Sequence, residues 1–150
     1  VFVGVTPQGW LRRWNEAGEV YAGDWEHAEL ILPRANATVL SIDDIAGDWQ
    51  RAQAWAARTS VLVVTQAAAG CTVFFEGQAV HVPAPEVTQI EPTGAGDIFA
   101  AALFIALERG CTPVRACEIA NCVAAHSVTF PHGQGFPTRQ DAQRCAGALV

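Results

Sequence analysis

The chain has 150 residues, of which 51% are hydrophobic and 16% are charged, and its formal net charge is −6. It is long enough to fold as a domain with a core of its own. Nine Lys and Arg residues against fifteen Asp and Glu residues, with no basic stripe, argue against a nucleic-acid partner. The longest wholly apolar run, residues 98–107, is too short to cross a bilayer, and no targeting segment is visible, so we expect a cytoplasmic protein without a membrane partner.

The N-terminal part of the chain predicts short elements separated by turns. Residues 1–5 are apolar and fit a strand, and Pro7 and Gly9 indicate a turn directly after it. A hairpin is predicted within residues 16–23. Residues 25–32 fit either a helix or a loop.

A polar pair follows the next predicted strand. Residues 38–40 fit a strand that delivers Ser41, and Asp44 stands three residues later. Because a serine and an acidic side chain at this spacing form a capping box, we expect one helix that begins here and runs to about Arg58. Residues 61–65 are a continuous apolar run, typical of a central strand that is covered on both faces.

The rest of the chain alternates between strand and helix patterns. The predicted elements are a hairpin of strands 71–75 and 79–82, an extended piece to residue 90, and helices at 97–109, at 114–129 and from Thr138 with Asp141 onward. This alternation favours one three-layer α/β domain over the whole chain, with a mainly parallel sheet and an antiparallel hairpin at its edge.

The strongest functional signal is a glycine pair at the start of the predicted helix 97–109. Gly94 and Gly96 flank Ala95, so successive backbone N–H groups can point into one space, to which the helix adds the positive end of its dipole. Phosphate is the natural ligand of such an anion hole. Asp97 falls in the first helical turn, where it could accept a proton from an attacking hydroxyl. Taken alone, a Gly-x-Gly pair is equally typical of an ordinary helix entry.

The longer segment from Thr93 to Asp97, which opens an apolar helix, resembles the signature of the ribokinase-like (PfkB) carbohydrate kinases. Residues 61–75 resemble the family's strand, nucleotide loop and following strand. The resemblance covers essentially the whole chain and implies a ribokinase-like nucleotide-binding fold. The sequence departs from the family pattern at Glu91 and Pro92, where the family has Asp and Thr, and at Ala67, where it has Gly.

The resemblance also implies an activity and a set of site residues. The activity is transfer of a phosphoryl group from ATP, with Mg²⁺, to a hydroxyl of a sugar or polyol. Asp97 is the implied base, and the N–H groups of Gly94, Ala95 and Gly96 are the implied anion hole. The residues implied for nucleotide binding are Thr65, Gly70, Thr93, Asn121 and Gly133.

Two implied ion sites rest on weaker patterns. Asp44 would support the metal through water, although its capping role explains it equally well. In the family, a loop that corresponds to residues 130–137 can bind a monovalent cation together with an acidic residue. Because Glu91 replaces that family Asp, a monovalent cation stays undecided.

The resemblance places the chain on the C-terminal half of such a kinase. The sequence begins at Val1 and contains no Met, so we expect a fragment. The N-terminal half, which carries the lid and most sugar contacts in the family, would lie outside it, and the fragment alone would be inactive. The acceptor and the oligomeric state stay open, a homodimer included.

Two other functions fit the same residues. The chain could be a non-catalytic nucleotide- or phosphate-binding module descended from such a kinase, which would suit the departures at Glu91, Pro92 and Ala67. It could also be a structural fragment in which the glycine pair is an empty helix entry.

The five cysteines predict no disulfide framework. They form an odd set without Cys-x-x-Cys spacing and without a His at zinc-finger distance, and we expect them to be buried thiols. They are Cys71, Cys111, Cys117, Cys122 and Cys145.

Overall fold

The computed structural model describes residues 1–131 and 134–147, and the predicted nucleotide-binding residue Gly133 lies outside them. The chain divides into two compact units. The first comprises Val1–Gln66 and Thr72–Val80, and the second comprises Ala67–Cys71 and the described residues of His81–Val150.

Strands and helices alternate along the chain. The strands are β1 (Gly4–Val5), β2 (Arg12–Trp14), β3 (Val20–Ala22), β4 (Ala37–Ser41), β5 (Val61–Thr65), β6 (Cys71–Phe75) and β7 (Gln78–Val82). The helices are α1 (Gln8–Leu11), α2 (Ala28–Ile31), α3 (Trp49–Ala56), α4 (Ala95–Glu108), α5 (Pro113–Ser127) and α6 (Arg139–Gly147). Short 3₁₀ helices occupy Leu32–Arg34, Ile42–Ile45 and Ala67–Ala69.

The main sheet has five strands in the order β1-β4-β5-β6-β7. β4 pairs in parallel with both β1 and β5. β6 and β7 form the predicted hairpin, and the residues between them, Glu76 and Gly77, have φ angles of 48° and 74°. Two successive positive φ angles are those of a type I′ turn, whose twist matches that of the strands it joins.

The first unit is built on an apolar core. β5 contributes Leu62 and Val64, both 0% exposed, and β4 contributes Leu40. Trp25 packs its ring edge against Trp55, with the ring centroids 5.6 Å apart. The other members of this buried cluster are Leu11, Ala28, Leu32, Ile45, Ala52 and Phe74. The strand prediction for residues 61–65 is therefore confirmed, and its apolar side chains are the reason that it is central.

The polar pair at Ser41 and Asp44 forms the predicted capping box, but the long helix predicted to follow it is wrong. The box caps only the 3₁₀ helix Ile42–Ile45, which ends at Ala46 with a left-handed φ of 51°. Gly47 is also left-handed, at 76°. Two such residues in succession break a right-handed helix, so α3 starts afresh at Trp49, with the Asp48 side chain accepting the Arg51 N–H.

Two smaller expectations also need correction. The turn predicted at residues 6–9 is the entry of helix α1, which begins at Gln8. The hairpin predicted within residues 16–23 starts earlier, because β2 begins at Arg12 and pairs with β3 in the register Arg12 to Ala22. Residues 83–90 contain no strand, and the extended backbone expected up to Ile90 stays a prediction.

Helices α4, α5 and α6 dominate the second unit and start and end close to the predicted positions. Thr112 caps α5 by accepting the Arg115 N–H, and Pro113 occupies the first turn, where no intrahelical partner for its nitrogen is needed. At the start of α6, the Asp141 carboxylate accepts from the Thr138 N–H and hydroxyl. The Thr138 hydroxyl, followed by the Thr138 N–H, holds the pKa of Asp141 below its usual range. Among the described residues, no helix is long and apolar enough to cross a membrane.

The prediction that all five cysteines are thiols is wrong. Cys122 of α5 and Cys145 of α6 form a disulfide, with their Cα atoms 5.7 Å apart. The pairing depends on how the two helices pack, which the spacing of cysteines along the chain does not show. Cys71 and Cys117 are buried thiols as expected, and Cys111 is a half-buried thiol.

Candidate active site

A tight turn leads into α4. The Ala95 N–H donates to the Pro92 carbonyl over 3.1 Å, and Gly94 has φ 84° and ψ −4°. These are the angles of the third residue of a type II turn, a position that requires a positive φ and therefore favours glycine. The bend at the first glycine of the pair is therefore a type II turn.

The turn leaves free backbone donors at the start of the helix. Helical hydrogen bonding begins with the Ile98 N–H, which donates to the Gly94 carbonyl over 3.0 Å. Within residues 1–131 and 134–147, the N–H groups of Gly94, Gly96 and Asp97 have no acceptor. The predicted anion hole is altered in one respect, since the Ala95 N–H is already used inside the turn. Free N–H groups at a helix N-terminus attract anions.

Asp97 lies in the first turn of α4, and its side chain is exposed. In the described part of the chain, its carboxylate makes no hydrogen bond and no ion pair. A carboxylate without internal partners keeps its oxygens available for a substrate proton.

The turn is attached to the C-terminal end of α5. The N–H groups of Ile90 and Glu91 both donate to the Val128 carbonyl, over 2.7 and 3.1 Å. The Glu91 carboxylate in turn accepts the Thr93 N–H over 2.9 Å. The role of Val128 was not foreseen, because the group involved is a backbone carbonyl and carries no side-chain signal in the sequence.

An open depression lies beside the turn. Its lining includes Glu91, Thr93 and Ile98 from the turn and α4. Ser127, Phe130 and Phe136 line the other side. The predicted residue Thr93 and two aromatic side chains therefore line the same depression.

A model of the pfkB family of carbohydrate kinases matches residues 28–139 of the chain. The chain belongs to this family. Two curated relatives and one solved structure illustrate the likeness. The bifunctional protein HldE of Bradyrhizobium diazoefficiens is 38% identical over 105 residues, which are 69% of this chain and 20% of that protein. The inositol 3-kinase of Zea mays is 30% identical over 115 residues, which are 75% of this chain and 28% of that protein.

The solved structure is a candidate ribokinase II from E. coli in complex with ATP and Mg²⁺. It superimposes with a TM-score of 0.67 at 19% identity, over 78% of this chain and 41% of that one. At this identity the likeness shows the fold alone, and it confirms the ribokinase-like α/β prediction, including the mainly parallel sheet with its antiparallel hairpin. The chain spans well under half the length of the two curated relatives.

The residues that the family resemblance implies for nucleotide binding have structural partners of their own. The Thr65 hydroxyl donates to the Leu40 carbonyl over 3.4 Å. Asn121 is 4% exposed, and its amide donates to the carbonyls of Val82 and Pro83 over 3.0 and 3.3 Å. These contacts give both residues a role in the fold, and their nucleotide contacts stay predictions.

Gly70 and Ala67 define the loop after β5. Gly70 has φ 98°, and a Cβ at this position would collide with the Val82 carbonyl oxygen and with the backbone of Pro83 and Ala84. Ala67 stands where the pfkB family has glycine, and it keeps a left-handed φ of 50°. Ala67 therefore adopts the left-handed backbone conformation that glycine would favour.

The carboxylate of Asp44 is fully engaged in the first unit. One oxygen accepts from the Arg12 guanidinium over 2.9 Å. The other accepts the Ser41 N–H over 2.9 Å. Within the described residues, no group of three His, Cys, Asp or Glu side chains could hold a metal ion. Capping and ion pairing therefore account for Asp44, and we make no further proposal of a metal role for it.

Proposed function

We propose that this chain carries the phosphoryl-transfer site of an ATP- and Mg²⁺-dependent kinase that acts on a hydroxyl group of a sugar or polyol. The observation that carries the proposal is the exposed Asp97 carboxylate of a pfkB-family chain, which lies next to the N–H groups of Gly94 and Gly96. Among the residues that the structure describes, neither the carboxylate nor these N–H groups have a partner. The polyol part of the acceptor class is supported by the inositol 3-kinase relative.

The chemistry follows from what phosphoryl transfer requires. The acceptor hydroxyl loses its proton to the Asp97 carboxylate, its oxygen bonds to the terminal phosphorus of ATP, and the bond from that phosphorus to the bridging oxygen breaks to release ADP. Because the transition state is loose and anionic, positioning and charge stabilisation contribute most of the catalysis. The N–H groups of Gly94 and Gly96, together with the α4 dipole, would stabilise that charge.

Mg²⁺ supplies charge neutralisation on the ATP phosphates when it is bound. Both oxygens of Asp44 already accept a hydrogen bond, and the described residues form no carboxylate cage. We therefore expect this chain to hold the ion through the nucleotide phosphates and water.

The test is ATP consumption by the full-length protein that contains this chain, with Mg²⁺, across a panel of sugars, polyols and nucleosides. We expect Asp97→Asn to lower turnover by about 100-fold or more with nearly unchanged ADP affinity. Glu108→Gln, an exposed acidic residue at the other end of α4, is the matched control and should leave turnover unchanged. Near-normal turnover of Asp97→Asn would remove Asp97 from the role of base.

A non-catalytic nucleotide- or phosphate-binding module is the second candidate. One observation favours it, namely that the Pro92 carbonyl occupies the Ala95 N–H and leaves fewer donors for a transferred phosphoryl group. This function predicts ADP binding by the full-length protein without phosphate transfer to any member of the acceptor panel. Failure to bind any nucleotide would instead favour an empty helix entry.

A further inference from the structure

We propose that Glu91 is a positioning residue for the phosphoryl-transfer site, and that it acts through the hydrogen bond that its carboxylate accepts from the Thr93 N–H. The inference rests on the proposed function, because the turn that Glu91 holds is the one that leads to Asp97. The resemblance links the acidic residue at this position only to an undecided monovalent cation, and a positioning role for Glu91 goes beyond it.

The first step is the contact inside the turn. The Glu91 carboxylate accepts the Thr93 N–H over 2.9 Å. Pro92, which stands between them, has no N–H and a fixed φ, so Thr93 provides the first backbone donor after Glu91. The hydrogen bond back to residue 91 restrains Thr93, which is the second residue of the type II turn, directly before Gly94.

The second step is the anchor on which this contact rests. The Glu91 N–H donates to the Val128 carbonyl, as does the Ile90 N–H. The carbonyl of Ser127, the residue before Val128, lies so close to Gly135 that a Cβ on Gly135 would collide with its oxygen. The backbone of Glu91 is thus fixed to the end of α5, and its side chain transmits that position to the turn.

The third step links the turn to the reacting groups. α4 begins at Ala95, directly after the turn, and the Ile98 N–H is its first helical donor. The direction of the free N–H groups of Gly94 and Gly96, and of the Asp97 side chain, therefore depends on how the turn is held. Small displacements of reacting groups cost large factors in rate.

The contact with Thr93 needs a hydrogen-bond acceptor at residue 91 and does not itself need a negative charge. A carboxylate beside an anion hole repels phosphate, whereas a glutamine side chain offers an amide oxygen that can accept the same Thr93 N–H. The geometric role therefore predicts that Gln replaces Glu91 with little loss, and that Ala does not.

The test compares Glu91→Gln, Glu91→Ala and the control Glu86→Ala, an exposed glutamate five positions earlier, in the full-length protein. We expect Glu91→Ala to lower kcat by about tenfold with an acceptor KM within about twofold of wild type. Glu91→Gln should stay within about threefold of the wild-type kcat, as should Glu86→Ala. A Glu91→Gln variant as slow as Glu91→Ala, or a Glu91→Ala variant as fast as wild type, would overturn the proposal.

A second readout separates this inference from the proposed function. Solvent exchange of the Thr93 N–H, followed by NMR, should be slow in wild type and in Glu91→Gln and faster in Glu91→Ala. If wild type transfers no phosphate to any acceptor, the proposed function fails, and this exchange alone decides whether Glu91 holds the turn. Equal exchange in all three proteins would show that it does not.

Discussion

In the first unit, the Asp44 carboxylate is almost completely buried and both of its oxygens accept hydrogen bonds, whereas in the second unit the Asp97 carboxylate is exposed and has no partner among the described residues. The difference extends to the backbone. Ser41 gives its N–H to a capping side chain, and the Gly96 N–H has no acceptor in the described part of the chain. Polar groups that are consumed internally stabilise a fold, and those left open can serve a ligand.

The two units also differ in what holds them together. The core of the first unit is a cluster of aliphatic and aromatic side chains from β4, β5 and the short helices. The second unit adds specific cross-links, namely the Cys122–Cys145 disulfide and the buried amide of Asn121. Directional links can hold a segment in place where little apolar surface is buried, as in α6, whose buried residue is Cys145.

The largest expected effect on stability is in the apolar core of the first unit. Leu62→Ala should lower the free energy of unfolding by about 3 kcal/mol or more, because Leu62 is 0% exposed and the cavity cannot refill completely. Chemical denaturation measures the change. Leu30→Ala is the matched control, since Leu30 is 61% exposed, and should change stability by less than about 0.5 kcal/mol. Equal losses in both variants would contradict a core centred on β5.

The disulfide provides the next test, in the second unit. Cys122→Ser should cost about 3 kcal/mol, because the bond closes a loop over a sequence separation of 23 residues. Hydrogen exchange followed by mass spectrometry should show faster exchange in α5 and α6, with β4 and β5 unchanged. Cys111→Ser removes a half-buried free thiol and is the control. Faster exchange in β4 and β5 as well would mean that the bond supports both units.

Asn121 tests whether a buried amide in the second unit serves the fold or a ligand. Asn121→Ala should cost about 2 kcal/mol, because the carbonyls of Val82 and Pro83 lose their donor. Thermal denaturation beside Gln140→Ala, an exposed amide of α6, measures it. Unchanged stability together with weakened ADP binding would return Asn121 to the nucleotide contact that the resemblance implies.

The smallest effect is expected in the loop after β5. Ala67→Gly should raise the free energy of unfolding by up to about 1 kcal/mol, because Ala67 has a left-handed φ of 50° that costs little only for glycine. Ala68→Gly, the next residue of the same short 3₁₀ helix, is the control and should not stabilise. An Ala67→Gly variant that is less stable than wild type would show that the loop is not strained there.

Much of the fold could be predicted because its signals are local. The continuous apolar run 61–65, the turn residues Glu76 and Gly77, and the Thr112-Pro113 cap each specify an element through neighbouring residues, and the structure has each of them in place. The break at Ala46 was missed because alanine favours helix, and it adopts a left-handed conformation there only in its tertiary context.

The site was predictable to a similar extent. The position of Asp97 and the bend at Gly94 follow from a short motif, and the structure has both at the start of α4. The loss of the Ala95 donor, the anchor at Val128 and the Cys122–Cys145 bond depend on contacts between backbone groups or between helices. Such contacts leave no pattern in the sequence, so the roles of the site residues stay predictions until activity is measured.

The most direct test of the contrast between the two carboxylates compares Asp44→Asn with Asp97→Asn in the full-length protein. For each variant, the free energy of unfolding and the turnover with ATP per folded molecule are measured. We expect Asp44→Asn to lose about 2 kcal/mol of stability, because Arg12 loses a charged partner. The same variant should keep near-normal turnover. Asp97→Asn should keep its stability and lose about 100-fold or more in turnover. The opposite pattern, with the turnover loss at Asp44 and the stability loss at Asp97, would contradict the assignment of both residues.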